Sequence, residues 1–360
     1  MPNKVICFFN SAETWGGGEK WHYDIATRLH LKGYKIIVIT NKKSELYLKL
    51  AETDIKTYPI KISNFSFLNP FKVKSVSQIL KKEKVSTIII NLPSDLKVAG
   101  PASRKAEVSK IIYRRGSAIP IKNKLSNRIL FKKYIDEIIA NSEATKNTIL
   151  SKNPNLFDKN KIKIIYNGII LDKKDTTEPI YNRQKDELII GNAGRFVRQK
   201  NHSFLIRLAS KLKNEGINFK ILLAGSGKLQ PEIEGLAKEL NVDDQIIFTG
   251  FVENIKSFME SIDIYVLPSF WEGFGYVLVE AMACKKPVIA FNLSSNPEII
   301  ANKTTGFLVE ENDLEALTEK IKLLAEDSEL RAKMGLEGEK RVKKLFLMDR
   351  VVEEIEKIII

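Results

Sequence analysis

A chain of 360 residues has the length of two domains; with 44% hydrophobic and 9% aromatic residues it buries real cores and is not a disordered tail. No uninterrupted apolar stretch approaches the roughly 18 residues of a membrane-spanning helix. The net charge of +14 is uneven: residues 1–180 hold 33 Lys/Arg against 16 Asp/Glu, and residues 181–360 hold 25 against 28. A basic first half beside a near-neutral second half points to an anionic partner for the first. Two cysteines, Cys7 and Cys284, are too few for a disulfide framework or a zinc site and fit a reducing cytoplasm.

The chain opens on an apolar run too short for a signal-peptide core, and Val5–Asn10 reads as a first strand. A glycine-rich turn, a helix over Lys20–Leu31 ended by Gly33, and a strand Lys35–Thr40 follow. Thr87–Asn91, Lys110–Tyr113, Glu137–Asn141 and Ile162–Tyr166 are further short apolar strands. Such runs separated by helical stretches indicate a parallel sheet covered on both faces. Asn167-Gly168 marks a turn, and the polar, aperiodic residues 171–187, with Pro179, read as a linker. The pattern then restarts with Leu188–Ala193, Lys220–Ala224, Gln245–Thr249, Ile262–Leu267 and Pro287–Ala290. Asp349–Ile360 forms an amphipathic helix with Val351, Val352, Ile355 and Ile358 on one side. The expected division is a first domain over 1–170, the linker 171–187, a second domain over 188–345 and a terminal helix over 346–360. Two such domains would face a cleft lined by the loops after their strands.

The densest charge lies between Arg104 and Lys133: Arg104, Lys105, Lys110, Arg114, Arg115, Lys122, Lys124, Arg128, Lys132 and Lys133, against the single acid Glu107. This is either a solvated face or a surface for an anionic membrane or acidic acceptor. No nucleic-acid motif or aromatic-basic interleaving supports nucleic acid.

Four loops after strands carry candidate chemistry. In Thr14–Lys20 the glycines Gly16, Gly17 and Gly18 let a ligand approach the backbone at a helix start, or serve a tight turn needing positive φ. In Gly194–Asn201, Arg195 supplies a fork for phosphate oxygens and Lys200 a point charge; together they could neutralise a departing diphosphate. Ala224-Gly225-Ser226-Gly227 could admit a phosphate, or be a plain strand-to-helix turn. In Pro268–Met282, Gly273 and Gly275 place Glu272 in a loop with a helix starting near Gly275 or Tyr276. Glu280 then sits about 7 Å further along the axis. The amides of Gly273, Phe274 and Gly275 open toward the same space, and Glu280, among apolar neighbours, wants a partner.

The segments GGGEK (16–20), NGI (167–169), GRFVRQKN (194–201), LLAGSGKL (222–229), GFVENI (250–255), LPSFWEGFGYVLVEAMACKKPVIA (267–290), PEII (297–300) and GFLV (306–309) resemble the retaining glycosyltransferases of the GT4 family. The resemblance is specific over the second half and loose over the first. It implies the GT-B fold: two Rossmann-like parallel-sheet domains facing a cleft, with a C-terminal helix crossing back to the first. It also implies that Arg195 and Lys200 bind the donor diphosphate and that Glu272, with the Gly273–Gly275 backbone, contacts the donor sugar. Glu280 would hold the ribose, Gly16 and Gly17 would approach the phosphates, and the loop of Val252 and Asn254 would hold the base. A family histidine near the sugar has no counterpart among His22, His30 and His202. Arg114 and Arg115 fall in that region; either Arg115 stands where the histidine would be, or it meets an anionic substrate.

The function so implied is retaining transfer of a hexose from a nucleotide-diphosphate sugar, with UDP or GDP as the nucleotide. The acceptor would be a glycan or lipid-linked saccharide in lipopolysaccharide or other surface-polysaccharide assembly. No Asp-x-Asp occurs, so no metal is expected. The expected location is the cytoplasm, peripheral at the inner membrane face. A nucleotide-sugar 2-epimerase of the same fold and a noncatalytic glycan- or membrane-binding protein remain as alternatives; only an epimerase would turn over a nucleotide sugar without acceptor.

Overall fold

The computed structural model describes residues 4–171 and 178–359. The chain divides into two compact units, Met1–Gly168 with Met348–Ile360, and Ile169–Leu347. The first is built on seven parallel strands: β1 (Val5–Asn10), β2 (Lys35–Thr40), β3 (Lys56–Pro59), β4 (Val85–Ile90), β5 (Lys110–Arg115), β6 (Glu137–Ala140) and β7 (Ile162–Ile164). Their order in the sheet is β3-β2-β1-β4-β5-β6-β7. The second contains β8 (Leu188–Ala193), β9 (Phe219–Ala224), β10 (Ile246–Gly250), β11 (Ile264–Leu267), β12 (Val288–Phe291) and β13 (Gly306–Val309), in the order β10-β9-β8-β11-β12-β13. Both are doubly wound Rossmann-like sheets. Their strand order reverses beside the first strand of each, and ligands of such sheets bind beyond the carboxyl ends at that point.

Every residue of β1 and β8 is buried, which is why Val5–Phe9 and Leu188–Gly191 read as continuous apolar runs rather than as alternating ones, with the buried polar Asn10 and Asn192 only at their carboxyl ends. β3 and β13 have no counterpart among the expected strands. β3 (Lys-Thr-Tyr-Pro) carries a lysine and a proline at the sheet edge, so no apolar run announces it.

The last helix, Met348–Ile359, belongs to the core of the first unit. Met348, Val351, Val352, Ile355 and Ile359 are buried against Trp21, Ile25 and Leu29 of the helix Gly17–Leu31, while Ile358 is only partly buried. Each such burial stabilises by about 1.5–3 kcal/mol. Two ion pairs fix the register, Arg28–Asp349 and Lys32–Glu356, both at 2.6 Å.

Phe346 and Leu347, expected to open this helix, stay with the second unit. The Ile169 amide donates to the Phe346 carbonyl at 2.8 Å, and Phe346 packs on Phe274. Of the expected linker, 172–177 lie outside the described residues. Its later part is docked on the second unit: the Ile180 amide donates to Ser261 Oγ at 2.8 Å and Arg183 pairs with Asp263 at 2.9 Å.

Candidate active site

In the second unit the loops after β8, β9, β10 and β11 converge. Tyr265 of β11 pins the end of β8, its buried hydroxyl accepting from the Ala193 amide (3.0 Å) and donating to the Ala193 carbonyl (3.2 Å). Burial raises its pKa above the usual phenol value, and the carboxylates of Glu280 and Glu272 push the same way. The Gly194 amide donates to the Ala224 carbonyl and the Phe196 amide to the Ser226 carbonyl, both at 2.9 Å, so the Arg195 loop is stitched to the Gly225 loop. Gly225 has φ +125°, and a Cβ there would stand 2.1 Å from the Gly194 carbonyl oxygen. The glycine of this loop is therefore demanded by backbone packing.

The two loops, with the segment after β10, enclose a cavity of about 250 Å³ lined by Arg195, Gly225, Ser226, Val252, Ile255 and Val277 among others. Arg195, Gly225 and Val252 are thus brought together. Arg195 is exposed and its side chain has no hydrogen-bond or ion-pair partner among the described residues. The Asn254 side chain caps the helix Ile255–Ser261, accepting from the Lys256 amide at 3.0 Å.

Lys200 and Glu272 do not line this cavity. They pair with each other at 2.6 Å, with side chains only 16% and 7% exposed. The turn Arg198–Lys200 is tied to the loop after β11 by Gln199, which donates from Nε2 to the Trp271 carbonyl (2.7 Å) and accepts from the Phe270 amide (2.9 Å). Glu272 sits in the loop and the next helix spans Tyr276–Ala283, so Glu280 lies one turn inside it. Gly275 is the helix cap, and Gly273 and Phe274 precede it. His202 is buried against Phe196; burial and the charge of Lys200 push its pKa down to about 4.

In the first unit, the helix Gly17–Leu31 starts directly after the exposed Gly16. None of Gly16, Gly17 and Gly18 has positive φ, so the tight-turn alternative does not account for them. A Cβ at Gly18 would meet Asn91 Nδ2 at 2.8 Å. Arg114 and Arg115 lie on opposite faces of β5. Arg114 is buried, donating to Asn91 Oδ1 (3.0 Å) and Asn167 Oδ1 (3.1 Å) and stacking on Trp21 at 4.8 Å. His22 sits beside it, kept neutral by burial and the guanidinium, with its pKa pushed down to about 3. Arg115 lines a separate cavity.

The sequence reading missed the buried polar groups that join these elements. Asn10 Nδ2 donates to Glu19 Oε1 at 3.0 Å, and Asn91 Nδ2 reaches the same oxygen at 3.5 Å. Asp95 accepts from the Ser11 amide at 3.0 Å and from the Ser11 hydroxyl. A signal was present: Asn10, Asn91, Asn141, Asn167 and Asn192 each stand at or just beyond the end of an apolar run.

Burial raises the Asp95 pKa to about 7, overriding its Ser11 donors. The folded state then holds a proton that the unfolded chain releases near pH 4, so this carboxyl's contribution falls as pH rises from about 4 to 7. Wild type should lose on the order of 3 kcal/mol relative to Asp95→Asn across that window. Denaturant unfolding at several pH values checks it; parallel stability curves would refute the assignment.

Among the described residues no cluster of three His, Cys, Asp or Glu is placed to hold a metal, and no helix is long and apolar enough to cross a membrane. The profile described as Glycosyltransferase Family 4 matches residues 15–173, and that described as Glycosyl transferases group 1 matches residues 173–341. An uncharacterized glycosyltransferase of Methanocaldococcus jannaschii is 34% identical over 259 residues, 71% of this chain and 69% of that protein. The capsular polysaccharide biosynthesis glycosyltransferase CapM of Staphylococcus aureus is 34% identical over 230 residues, 61% of this chain and 60% of that protein. Anabaena HepE, solved in complex with UDP, has a TM-score of 0.83 at 20% identity, over 99% of both chains. Matched by a family profile in each half, the chain belongs to the family 4, group 1 glycosyltransferases and has their GT-B fold.

Proposed function

We propose that this glycosyltransferase moves a hexose from a nucleotide-diphosphate sugar to a glycan or lipid-linked saccharide, with retention of configuration, in surface-polysaccharide assembly. The observation that carries the reading is an unpaired Arg195 on the rim of a nucleotide-sized cavity, a short loop away from the Lys200–Glu272 pair.

In this reading the base lies by the backbone around Val252 and Asn254, Glu280 holds the ribose, and Arg195 and Lys200 meet the diphosphate. The bond from the sugar's anomeric carbon to the diphosphate oxygen breaks, its electron pair leaving with the diphosphate. The two cations stabilise that charge. The acceptor oxygen bonds to the anomeric carbon on the face being vacated, and its proton passes to a donor phosphate oxygen. Glu272 and the Gly273–Gly275 backbone orient the sugar, and the amides of Gly16 and Gly17 at a helix start suit an anionic group. Arg114, held by two asparagines, fixes the floor of the first unit's loop.

A nucleotide-sugar panel read by nucleotide release, with product anomers assigned by NMR, tests the reading. Turnover of a nucleotide sugar without any acceptor, or an inverted product, would refute it. No metal takes part in this scheme, so EDTA should leave the rate unchanged; a strict metal requirement would refute that part.

Membrane association belongs to the same proposal. Of the ten cations between Arg104 and Lys133, Arg104 and Lys110 pair with Asp136 and Glu137, and Arg114 is buried. Lys122, Lys124, Arg128, Lys132 and Lys133 are exposed and have no acidic partner among the described residues. Neutralising all five should weaken binding to anionic vesicles several-fold at low salt and less at high salt. Unchanged sedimentation with vesicles would count against it.

A further inference from the structure

Arg115 opens onto a second cavity, of about 310 Å³, in the first unit. Its floor is apolar, built from Leu96, Tyr113 and Phe131. Its edge is cationic, built from Lys97, Arg115, Lys122 and Lys124, and no acidic side chain lines it. Arg115 spends one nitrogen on the Ile119 carbonyl (2.7 Å), while its buried Nε has no partner.

Apolar side chains stand out into solvent on segments that adjoin the cavity's lining residues. Phe67 (41% exposed) lies under Lys97 at 5.3 Å, and Phe65 and Phe71 beside it are 74% and 79% exposed. On the helix Leu125–Tyr134, Leu125 and Ile129 are one turn apart and exposed, while Leu130 and Phe131 of the same helix line the cavity. Exposed aromatic and aliphatic groups set among lysines are how a protein face enters the headgroup layer of an anionic leaflet. An apolar hole rimmed only by cations fits a molecule that is hydrocarbon at one end and anionic at the other.

We infer that this cavity holds the hydrocarbon segment next to the phosphate of a lipid phosphate, with Arg115, Lys122 and Lys124 on the phosphate oxygens. The inference rests on the acceptor reading above and narrows it to the lipid-phosphate-linked class. The exposed Phe65, Phe67 and Phe71 would enter the bilayer beside it.

The test is calorimetric titration of the full chain with geranyl phosphate, geraniol and inorganic phosphate. Geranyl phosphate should bind at least about tenfold more tightly than either fragment. Leu130→Trp, which fills the cavity, should weaken it about tenfold or more, and Lys122→Glu with Lys124→Glu should do the same. UDP binding and the melting temperature should not move. Should Leu130→Trp unfold the protein, Asn127→Trp at the mouth takes its place. Geraniol or inorganic phosphate binding as tightly as geranyl phosphate, or geranyl phosphate binding that survives the Trp variants, would overturn the inference. Transfer to a soluble saccharide is read separately; if it persists while geranyl phosphate fails to bind, only the lipid site falls.

Discussion

Replacing Arg195 by alanine should slow sugar transfer by roughly two to three orders of magnitude and leave the melting temperature unchanged. The side chain is exposed and makes no hydrogen bond or ion pair among the described residues. Lys200→Ala should slow transfer comparably, but for this residue the fold pays as well. Its ammonium is the partner of the buried Glu272 carboxylate, and removing one member of a buried pair costs about 3 kcal/mol because the other charge is left in a poor solvent. The sequence alone suggests that either substitution cuts turnover far more than it harms folding; the 2.6 Å contact separates the two residues. The double change Lys200→Met with Glu272→Gln should recover much of the stability and none of the turnover. Thermal melts and single-turnover kinetics on the variants check this. Wild-type rates in Arg195→Ala would end the leaving-group argument, and an unshifted melt in Lys200→Ala would end the ion-pair argument.

Gly225→Ala should be among the most damaging single methyls in the second unit, alongside Gly306→Ala and Gly335→Ala, where the added Cβ would stand 1.9 Å from the backbone oxygens of Val288 and Lys285. At Gly225 the added Cβ meets a backbone oxygen at 2.1 Å and the residue keeps φ +125°, so no side-chain rotation relieves it. Backbone strain and overpacking together cost roughly 3–5 kcal/mol. Gly235, in the helix Gln230–Glu239, has nothing within 4 Å of its hypothetical Cβ. Gly235→Ala should stabilise by about 0.5–1 kcal/mol through helix propensity. Chemical denaturation of the two variants side by side makes the comparison, and equal midpoints would contradict the packing argument.

Much of this architecture is legible in the sequence because doubly wound sheets bury their central strands on both faces. β1, β2 and β8 could be read to the residue, since their polar residues fall at or next to the strand ends, as Asn10, Lys35, Thr40 and Asn192 do. β3 could not, because an edge strand needs apolar character on fewer sides; β13 is apolar and largely buried, but at four residues it is too short a run to declare itself. The Glu272 loop and the helix start at Tyr276 follow from two glycines. The Lys200–Glu272 contact does not, since the residues lie 72 apart along the chain and no local pattern carries such a pairing. Arg114 and Arg115 are adjacent in sequence and read alike, yet strand alternation sends them to opposite faces, one into a buried asparagine cluster and one to a lysine-rimmed cavity. His22, a helix residue with no signal of its own, turns out to accompany Arg114.

The helix Met348–Ile359 has a consequence for how the protein is made. A ribosome synthesises it only after all of Ile169–Leu347, so the second unit can fold on the nascent chain while the first still lacks five side chains of its core. Until that helix emerges, the groove beside Trp21 and Ile25 stays open and sticky. A chain truncated before Met348 should therefore aggregate through its N-terminal portion, far in sequence from the cut.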